Sequence, residues 1–391
     1  MIRNPPQFAV LLAQVRQFVR TECMPLEQEV DRSDEIPEAL VQRMREMGLF
    51  GHSIPEAHGG AGLTSEELSL VNIEVSQVAT TFRARFGGNT GIASESLVVD
   101  GTPQQKARYL PLLASGQLTG CFALTEPEAG SDAGGTKTKA VVKGGEWVVN
   151  GSKSFITNSG SSITSVVTVT ARTGTRDNGT PEISAIMIPS GTPGFTAEQP
   201  YHKLGWHCSD THGLSFDNVR VPEANLLGQR GKGFAQFLAT LDDGRIAIAA
   251  LALGCVQRML EEATAYSKTR LAFGKPIGTY QGVSFQVADL AVMAETSRLL
   301  VYKAAWLKDE MAAGRRSMQE VKQAASIAKL YTSEAAVTAT RIATQIFGGN
   351  GFMEEYPVAR FYRDAKILEI GEGTSEVQRM LIARGLGLPQ G

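Results

Sequence analysis

One carboxylate in the sequence is placed where it could work as a base. Glu372 lies between two glycines in the stretch IGEGTSEVQR, and glycines on both sides let the backbone come close to a ligand. Ser375 and Gln378 have the S-x-x-Q spacing of a capping box, which predicts that a helix begins there, just after Glu372. A loop carboxylate before a helix is also a common dipole partner, so the pattern alone leaves a structural role open.

Two stretches near the middle of the chain could contact a ligand. FALTEPEAGSD begins as a strand and ends in a turn, where Thr125 and Ser131 offer hydroxyl groups to a planar heterocycle or a phosphate. KSFITNSG places Phe155 and Thr157 on one side of a strand, because side chains alternate between faces. Each stretch alone also fits an ordinary role, as a polar strand-to-loop junction or as core packing.

A third stretch, QIFGGNGF, follows a long helical pattern and has more glycines than a C-cap needs. Close approach of the backbone to a ligand and a long irregular turn are both compatible with it. The sequence has no GxGxxG, P-loop, HExxH or GxSxG motif. The motifs that usually indicate nicotinamide, P-loop nucleotide, zinc-protease and serine-hydrolase chemistry are therefore absent. A redox cofactor would therefore bind in another way.

Composition narrows the classes of partner. Hydrophobic residues make up 42% of the 391 residues, and 38 Lys and Arg balance 40 Asp and Glu, so neither disorder nor a nucleic-acid partner is expected. The four cysteines lie far apart with no CxxC pair, which argues against a disulfide framework or a metal site. No apolar stretch is long enough to span a membrane. These features predict a soluble, cytoplasmic protein without a membrane partner.

The periodicity of apolar residues divides the chain into three parts. Residues 1–117 have helical spacing, residues 118–222 contain β-rich runs separated by turn residues, and residues 223–391 return to long helical patterns. The hairpin turn Gly144-Gly145 separates two of the β runs. The long helices of the last part predict bundle packing.

Three stretches in this order, ALTEPEAGSD, QIFGGNGF and YRDAKILEIGEGTSEVQR, resemble the signatures of the acyl-CoA dehydrogenase family of flavoenzymes across nearly the whole chain. The resemblance implies an α+β fold with an N-terminal helical domain, a middle β-barrel-like domain and a C-terminal four-helix bundle. It also implies an FAD-dependent oxidoreductase of fatty acid or amino acid catabolism, which converts an acyl-CoA to the 2-enoyl-CoA and passes electrons to an electron-transfer flavoprotein.

The resemblance assigns residues to the cofactor. The flavin ring would lie near Leu124, Thr125, Phe155 and Thr157, with Ser131, Thr374 and Glu376 also in the cofactor and substrate region. A neighbouring subunit would hold the pyrophosphate and adenosine through Arg270, Phe273, Gln281, Gln345, Gly348 and Gly349. Such sharing requires an oligomer, expected to be a homotetramer.

The resemblance also assigns residues to the substrate. Glu372 matches the base that takes the α-proton while the β-hydride passes to the flavin, and its backbone N–H, next to Gly373, would bind the thioester oxygen together with a ribityl hydroxyl. Asp242, Arg245 and Ser131 match contacts to the CoA pantetheine. Gly244 stands where other members carry their base, which favours Glu372 as the only one.

Two departures leave the acyl group open. Gly371 replaces a tyrosine of straight-chain enzymes, which would leave room for a branched or bulky chain. Arg83 aligns with the arginine that holds the distal carboxylate in glutaryl-CoA dehydrogenase, and a desulfinase of sulfinopropionyl-CoA is similar here. Arg83 also lies near a predicted helix C-terminus, where a cation is favourable without any ligand.

Other functions remain open at this point. The same fold could serve an oxidase, an acyl-carrier-protein dehydrogenase or the desulfinase, which would release sulfite. A non-catalytic helical binding protein is a third reading, although a protein that only binds has no reason to keep a base such as Glu372.

Overall fold

The computed structural model of the chain describes residues 2–389. Its first part is helical, as predicted, and the helices begin at recognisable caps. Thr64 and Thr102 each form a capping box with the residue three positions later. The helices are α1 Pro5–Phe18, α2 Glu27–Ser33, α3 Glu38–Glu46, α4 Ser65–Val75, α5 Thr80–Gly87, α6 Ile92–Asp100 and α7 Pro103–Ala114.

The middle part is an eight-stranded β-sheet. Its strands are β1 Thr119–Ala123, β2 Lys139–Lys143, β3 Glu146–Thr157, β4 Thr164–Thr175, β5 Pro181–Pro189, β6 Phe195–Pro200, β7 Thr211–Pro222 and β8 Leu226–Leu227. The strand order is β6-β7-β3-β2-β4-β5-β8, and β1 pairs with β4 in parallel. Gly144 and Gly145 both have positive φ and join β2 to β3 as an antiparallel hairpin, as predicted.

The last part is again helical. Its elements are α8 Gly233–Thr269, β9 Leu271–Ala272, β10 Lys275–Pro276, α9 Gln281–Ala312, α10 Met318–Phe347, α11 Pro357–Asp364 and α12 Ser375–Gly385. Helix α10 contacts α8, α9 and α12, and small buried side chains such as Ala336, Ala339 and Ala343 let the helices approach closely. The predicted α+β class with a C-terminal helical bundle is confirmed. None of the helices within residues 2–389 is long and apolar enough to cross a membrane.

The division of the chain at residues 117/118 and 222/223 stays a proposal. The first boundary falls in the short connection between α7 and β1. The second cuts before β8, whose residues Leu226 and Leu227 pair with β5. The sheet therefore continues a few residues past the proposed boundary.

One buried carboxylate joins all three parts. Asp364, at the end of α11, accepts a hydrogen bond from Trp206 N at 2.6 Å and one from Thr80 Oγ1 at 3.0 Å. Thr80 begins α5, and Trp206 lies between β6 and β7. Since Asp364 is buried, losing these bonds would leave polar groups without partners. This contact fixes α5 and the sheet relative to the chain that leads into the Glu372 loop.

Candidate functional site

The loop that carries Glu372 has an unusual backbone. Glu372 has φ 57° and Gly373 has φ 89°, so two successive residues are in the left-handed region. For a residue with a side chain this conformation costs free energy and persists only where the surroundings enforce it. Among residues 2–389, the backbone N–H of Glu372 donates to no protein acceptor. That donor is available to a ligand oxygen.

A helix begins just after Glu372, as predicted, but its N-cap differs from the predicted one. The N-cap of α12 is Thr374, whose Oγ1 accepts a hydrogen bond from Val377 N at 3.3 Å. The predicted capping box of Ser375 and Gln378 is therefore wrong. Gln378 instead donates its amide to Glu372 O at 3.2 Å and to Gly373 O at 3.0 Å. The left-handed turn brings these carbonyls towards the helix, and a spacing pattern alone cannot foresee that.

The Glu372 side chain lies against helix α8. A Cβ added to Gly244 would lie 2.8 Å from the Glu372 Cδ, well inside normal contact. Glu372 Oε2 is buried and has no hydrogen-bond partner within the described part of the chain. Burial raises the pKa of Glu372, while the charges of Arg83, Arg245 and Lys329 act to lower it. A carboxyl group with a raised pKa and a free oxygen can accept a proton near neutral pH.

Three cations from three helices act electrostatically on this carboxylate. Arg83 of α5 packs on Gly87, since a Cβ there would lie 2.6 Å from the Arg83 Cζ. Its Nε donates weakly to Asn72 Oδ1 at 3.4 Å. Burial lowers the pKa of Arg83 to about 10, with Glu372 opposing the shift. In residues 2–389 the Arg83 guanidinium forms no ion pair within 4.0 Å. Its positive charge is therefore not neutralised by a carboxylate in direct contact.

The two residues assigned to the pantetheine are neighbours on α8. Asp242 and Arg245 are buried one helical turn apart, and the Arg245 Nη1 donates to Asp242 Oδ1. Burial raises the pKa of Asp242, and Arg245 acts to lower it. The Arg245 Nε is buried without an acceptor. Within the described residues the pair thus keeps one donor unused, and the charge of Arg245 acts on Glu372.

The residues assigned to the flavin ring lie together at the end of β3. Phe155 has φ 62° at an irregularity of the strand, and the residue is 66% exposed. Thr157 is exposed on the same side, while Ile156 between them is buried. Ser154 N donates to Thr125 O at 2.8 Å, which attaches the partly buried Leu124–Thr125 segment to this strand. An exposed aromatic ring beside hydroxyl groups is a surface for a planar ligand.

A buried ion pair beneath this surface was missed by sequence reasoning. Lys153 Nζ lies 2.8 Å from Glu126 Oε1 and also donates to Leu124 O at 3.0 Å. Burial acts to raise the pKa of Glu126, but Lys153 and further hydrogen bonds outweigh it and lower the pKa to about 2. Burial lowers the pKa of Lys153 to about 8, opposed by Glu126. The clue in the sequence was a lysine and a glutamate inside two otherwise apolar strand ends, Glu126 following FALT and Lys153 preceding SFIT.

The residues assigned to a neighbouring subunit's cofactor are all exposed. Phe273 has φ 51° and is 94% exposed. It lines a hollow of about 380 Å³ together with Gln345. Gly348 ends α10 with φ 59°, and a Cβ on Gly348 or Gly349 would meet nothing within 4 Å. No hydrogen bond or ion pair in the described chain joins this set to Glu372 or Phe155. The set comprises Arg270, Phe273, Gln281, Gln345, Gly348 and Gly349.

The remaining candidates lie at the edges of the site. Ser131 is on an exposed loop, and Glu376 is exposed in the first turn of α12. Gly371 is half-buried, and a Cβ there would meet only the Ile367 carbonyl oxygen at 3.5 Å. No group of three or more His, Cys, Asp or Glu within residues 2–389 is arranged to hold a metal ion.

Comparison with known proteins covers most of the chain. Models described as the N-terminal, middle and C-terminal domains of acyl-CoA dehydrogenase match residues 7–117, 121–219 and 231–387. A probable acyl-CoA dehydrogenase of Bacillus subtilis, YngJ, is 45% identical over 372 residues, covering 95% of this chain and 96% of that protein.

Solved structures agree with this result. Butyryl-CoA dehydrogenase from Megasphaera elsdenii superposes with a TM-score of 0.90 at 37% identity, covering 97% of each chain. A glutaryl-CoA dehydrogenase in complex with glutaryl-CoA superposes with a TM-score of 0.90 at 33% identity, covering 98% of this chain and 96% of the other. Members of the family are flavoproteins and oxidoreductases. The protein is therefore an enzyme and not a non-catalytic binding protein. The chain belongs to the acyl-CoA dehydrogenase family.

Proposed function

We propose that the protein catalyses the FAD-dependent α,β-dehydrogenation of a short acyl-CoA, with Glu372 as the base. The observation that carries this proposal is the position of the Glu372 carboxyl group, which lies against Gly244 and whose buried Oε2 has no hydrogen-bond partner among the described residues. Burying a carboxylate oxygen without a hydrogen-bond partner costs free energy. Such groups cluster at functional sites. The likeness to butyryl-CoA dehydrogenase supports a short acyl chain.

The residues of the chain divide the work of the reaction. Glu372 takes a proton from the α-carbon, and the raised pKa makes its carboxylate a better proton acceptor near neutral pH. Its free backbone N–H donates to the thioester oxygen and stabilises the negative charge that develops there. Asp242 and Arg245 bind the pantetheine. Bound FAD supplies the acceptor for the β-hydride, so that proton and hydride together leave a trans-2-enoyl-CoA.

Several features support FAD as the cofactor. Phe155 and Thr157 present an exposed ring and a hydroxyl next to the Leu124–Thr125 segment, which suits the apolar and polar edges of an isoalloxazine. The second set suits a pyrophosphate and adenosine. Arg270 is a permanently charged donor, exposed and free of any ion pair within the described residues, and glycines of the α10 end allow close backbone approach.

An oligomer is part of the proposal because the second set is to serve a neighbouring copy. Helix α9 supports it with exposed apolar residues spaced every seven positions, Phe285, Val292, Leu299 and Trp306. Such a stripe is typical of helix pairing between copies. We expect a homotetramer by light scattering. Val292→Glu should lower the mass, whereas Val141→Glu on the exposed strand β2 should not, and an unchanged mass for Val292→Glu would contradict the interface.

The test of the reaction is anaerobic bleaching of the bound flavin by CoA thioesters. Butyryl-CoA, isobutyryl-CoA and glutaryl-CoA are mixed with the purified holoenzyme, and the visible flavin absorption is followed. Bleaching by butyryl-CoA and loss of at least about a thousandfold in rate for Glu372→Gln are expected, because the amide cannot accept the proton. Normal turnover by Glu372→Gln would refute the base. If no thioester bleaches the flavin, dehydrogenation is refuted and sulfite release or an acyl-carrier-protein substrate is tested next.

A second candidate substrate, an acyl-CoA with a distal acidic group, is favoured by Arg83. Arg83 is partly buried and interacts electrostatically with Glu372, and within the described residues its guanidinium makes only the long hydrogen bond to Asn72. A buried guanidinium without an anionic partner is costly, and a substrate carboxylate or sulfinate would supply one. Arg83→Met should then slow flavin reduction by glutaryl-CoA by about tenfold or more relative to butyryl-CoA. Arg85→Met is the control, and equal losses with both thioesters would reject this role.

Passage of the electrons to an electron-transfer flavoprotein completes the proposed function. Steady-state turnover with the purified flavoprotein as acceptor, compared with molecular oxygen, tests it directly. Faster turnover with oxygen would indicate an oxidase instead.

A further inference from the structure

Helix α10 contains a fully buried lysine that the proposed reaction does not use. Lys329 has no exposed surface and forms no ion pair within 4.0 Å among the described residues. Burying an ammonium group without a carboxylate is costly. Its Nζ donates one hydrogen bond, of 2.8 Å, to the carbonyl oxygen of Gly373. The Lys329 ammonium group therefore binds the backbone of the residue that follows Glu372.

The hydrogen bond from Lys329 is made to the part of the loop whose backbone has positive φ. Glu372 and Gly373 are both in the left-handed region, and the Gly373 carbonyl accepts from Lys329 on one side and from the Gln378 amide on the other. Gln378 also holds the Glu372 carbonyl at 3.2 Å. Backbone in this region persists only where neighbouring groups enforce it, and the hydrogen bond from a charged donor is the strongest type among these.

We propose that Lys329 is a positioning residue for the base: its ammonium group holds the Gly373 carbonyl and thereby fixes the backbone turn that aims the Glu372 carboxyl at the substrate. The proposal rests on the proposed role of Glu372. Helix α10 is long and packed on both α8 and α9, so it offers a rigid platform from which to hold a loop.

The charge of Lys329 also acts on the base. Burial lowers the pKa of Lys329 to about 8, with Glu372 opposing the shift and Arg245 adding to it. In return Lys329 acts to lower the pKa of Glu372, together with Arg83 from α5 and Arg245 from α8. Of these three cations, Lys329 alone is hydrogen-bonded to the loop backbone in the part of the chain that the structure describes. Its removal should therefore change both the order of the loop and the titration of the base.

Three holoenzyme variants separate these effects. Lys329→Met keeps an apolar stem without charge, and Lys329→Arg keeps charge and donors. Thr332→Val is the matched control, because Thr332 is equally buried on α10 but its hydroxyl donates to Ala328 O of its own helix. Lys329→Gln, which keeps a neutral donor, replaces Lys329→Met if the latter does not fold.

The first measurement, hydrogen–deuterium exchange of the peptide covering residues 368–378, does not depend on any reaction. Exchange should be about tenfold faster in Lys329→Met, since the lost bond is to a charged donor. It should be near wild type in Lys329→Arg and unchanged in Thr332→Val. Exchange in Lys329→Met equal to that of Thr332→Val would overturn the proposal, whatever the substrate of the enzyme is.

The second measurement is the pH dependence of anaerobic flavin reduction by the fastest thioester. Glu372 works only when deprotonated, so the rate rises with pH through its pKa. Removing a neighbouring positive charge raises that pKa, so the rising limb of Lys329→Met should move up by about one pH unit, with kcat reduced more than KM is changed. Lys329→Arg should restore the limb. An unmoved limb would refute the electrostatic part, while failure of wild type to bleach would refute the proposed reaction instead.

Discussion

The contact between Gly244 and Glu372 makes a quantitative prediction. In Gly244→Ala the new Cβ would lie 2.8 Å from the Glu372 Cδ, whereas unstrained carbon atoms are about 3.5–4.0 Å apart. The carboxyl group must therefore retreat by about 1 Å. A displacement of about 1 Å at a reacting group costs about 100-fold in rate, so flavin reduction by butyryl-CoA should fall by about that factor.

The same change should leave the protein stable. Gly244 is inside helix α8, where alanine is more favourable than glycine by about 1 kcal/mol, and the group that must move is the free end of a side chain. The melting temperature and the FAD content of Gly244→Ala should therefore match or exceed those of the wild type. The assay is anaerobic stopped-flow bleaching at saturating butyryl-CoA, with differential scanning fluorimetry of the same samples.

A double-mutant cycle identifies the cause. Glu372→Asp shortens the side chain and withdraws the carboxyl group from Gly244, so adding Gly244→Ala to that variant should change the rate by no more than about twofold. The reasoning is refuted if Gly244→Ala alone retains the wild-type rate. It is equally refuted if the 100-fold loss appears undiminished in the Glu372→Asp background, because the loss would then not come from a collision with the carboxyl group.

Three further predictions concern the surroundings of the site. Gly371→Tyr should slow reduction by isobutyryl-CoA more than by butyryl-CoA, since a Cβ there meets only a carbonyl oxygen at 3.5 Å and the ring has room; equal losses would show that Gly371 does not select the acyl group. Lys153→Met should weaken FAD binding by about tenfold in a fluorescence titration, because it releases the Leu124 carbonyl and leaves a buried carboxylate unpaired, whereas Lys153→Arg should weaken it less. Asp364→Ala should lower the free energy of unfolding by about 2 kcal/mol, measured by thermal or urea denaturation, and a larger loss from the isosteric Asp364→Asn would contradict the role of the hydrogen bonds that Asp364 accepts from Trp206 and Thr80.

Local patterns in the sequence were sufficient for the outline of the fold. Apolar spacing separates helical from β segments because side chains repeat every 3.6 residues in a helix and every two in a strand. The Gly144-Gly145 turn was predictable for the same reason of local geometry, since both residues need positive φ. The order of the three signature stretches in the sequence indicates the family.

The candidate site was only partly predictable. The glycines around Glu372 indicated a loop open to a ligand, yet the residues that hold it are distant along the chain. Lys329 lies 44 positions before Gly373, and Gly244 is farther still. A lysine in a helical pattern normally predicts a solvated face, so nothing local distinguishes Lys329 from its exposed neighbours. The N-cap was predicted one residue too late for a similar reason. Ser375 and Thr374 are both good N-cap residues, and the left-handed turn before them places Thr374 at the cap position.

The sequence by itself determined which segments are helices and strands, because hydrogen bonding and side-chain periodicity are properties of neighbours in the chain. Only the tertiary structure decided what surrounds the carboxylate. Packing of α5, α8 and α10 around one loop places Arg83, Arg245 and Lys329 near Glu372 and removes water from them. The strength of an electrostatic interaction depends on that burial, so the pKa of the base is a property of the assembled fold.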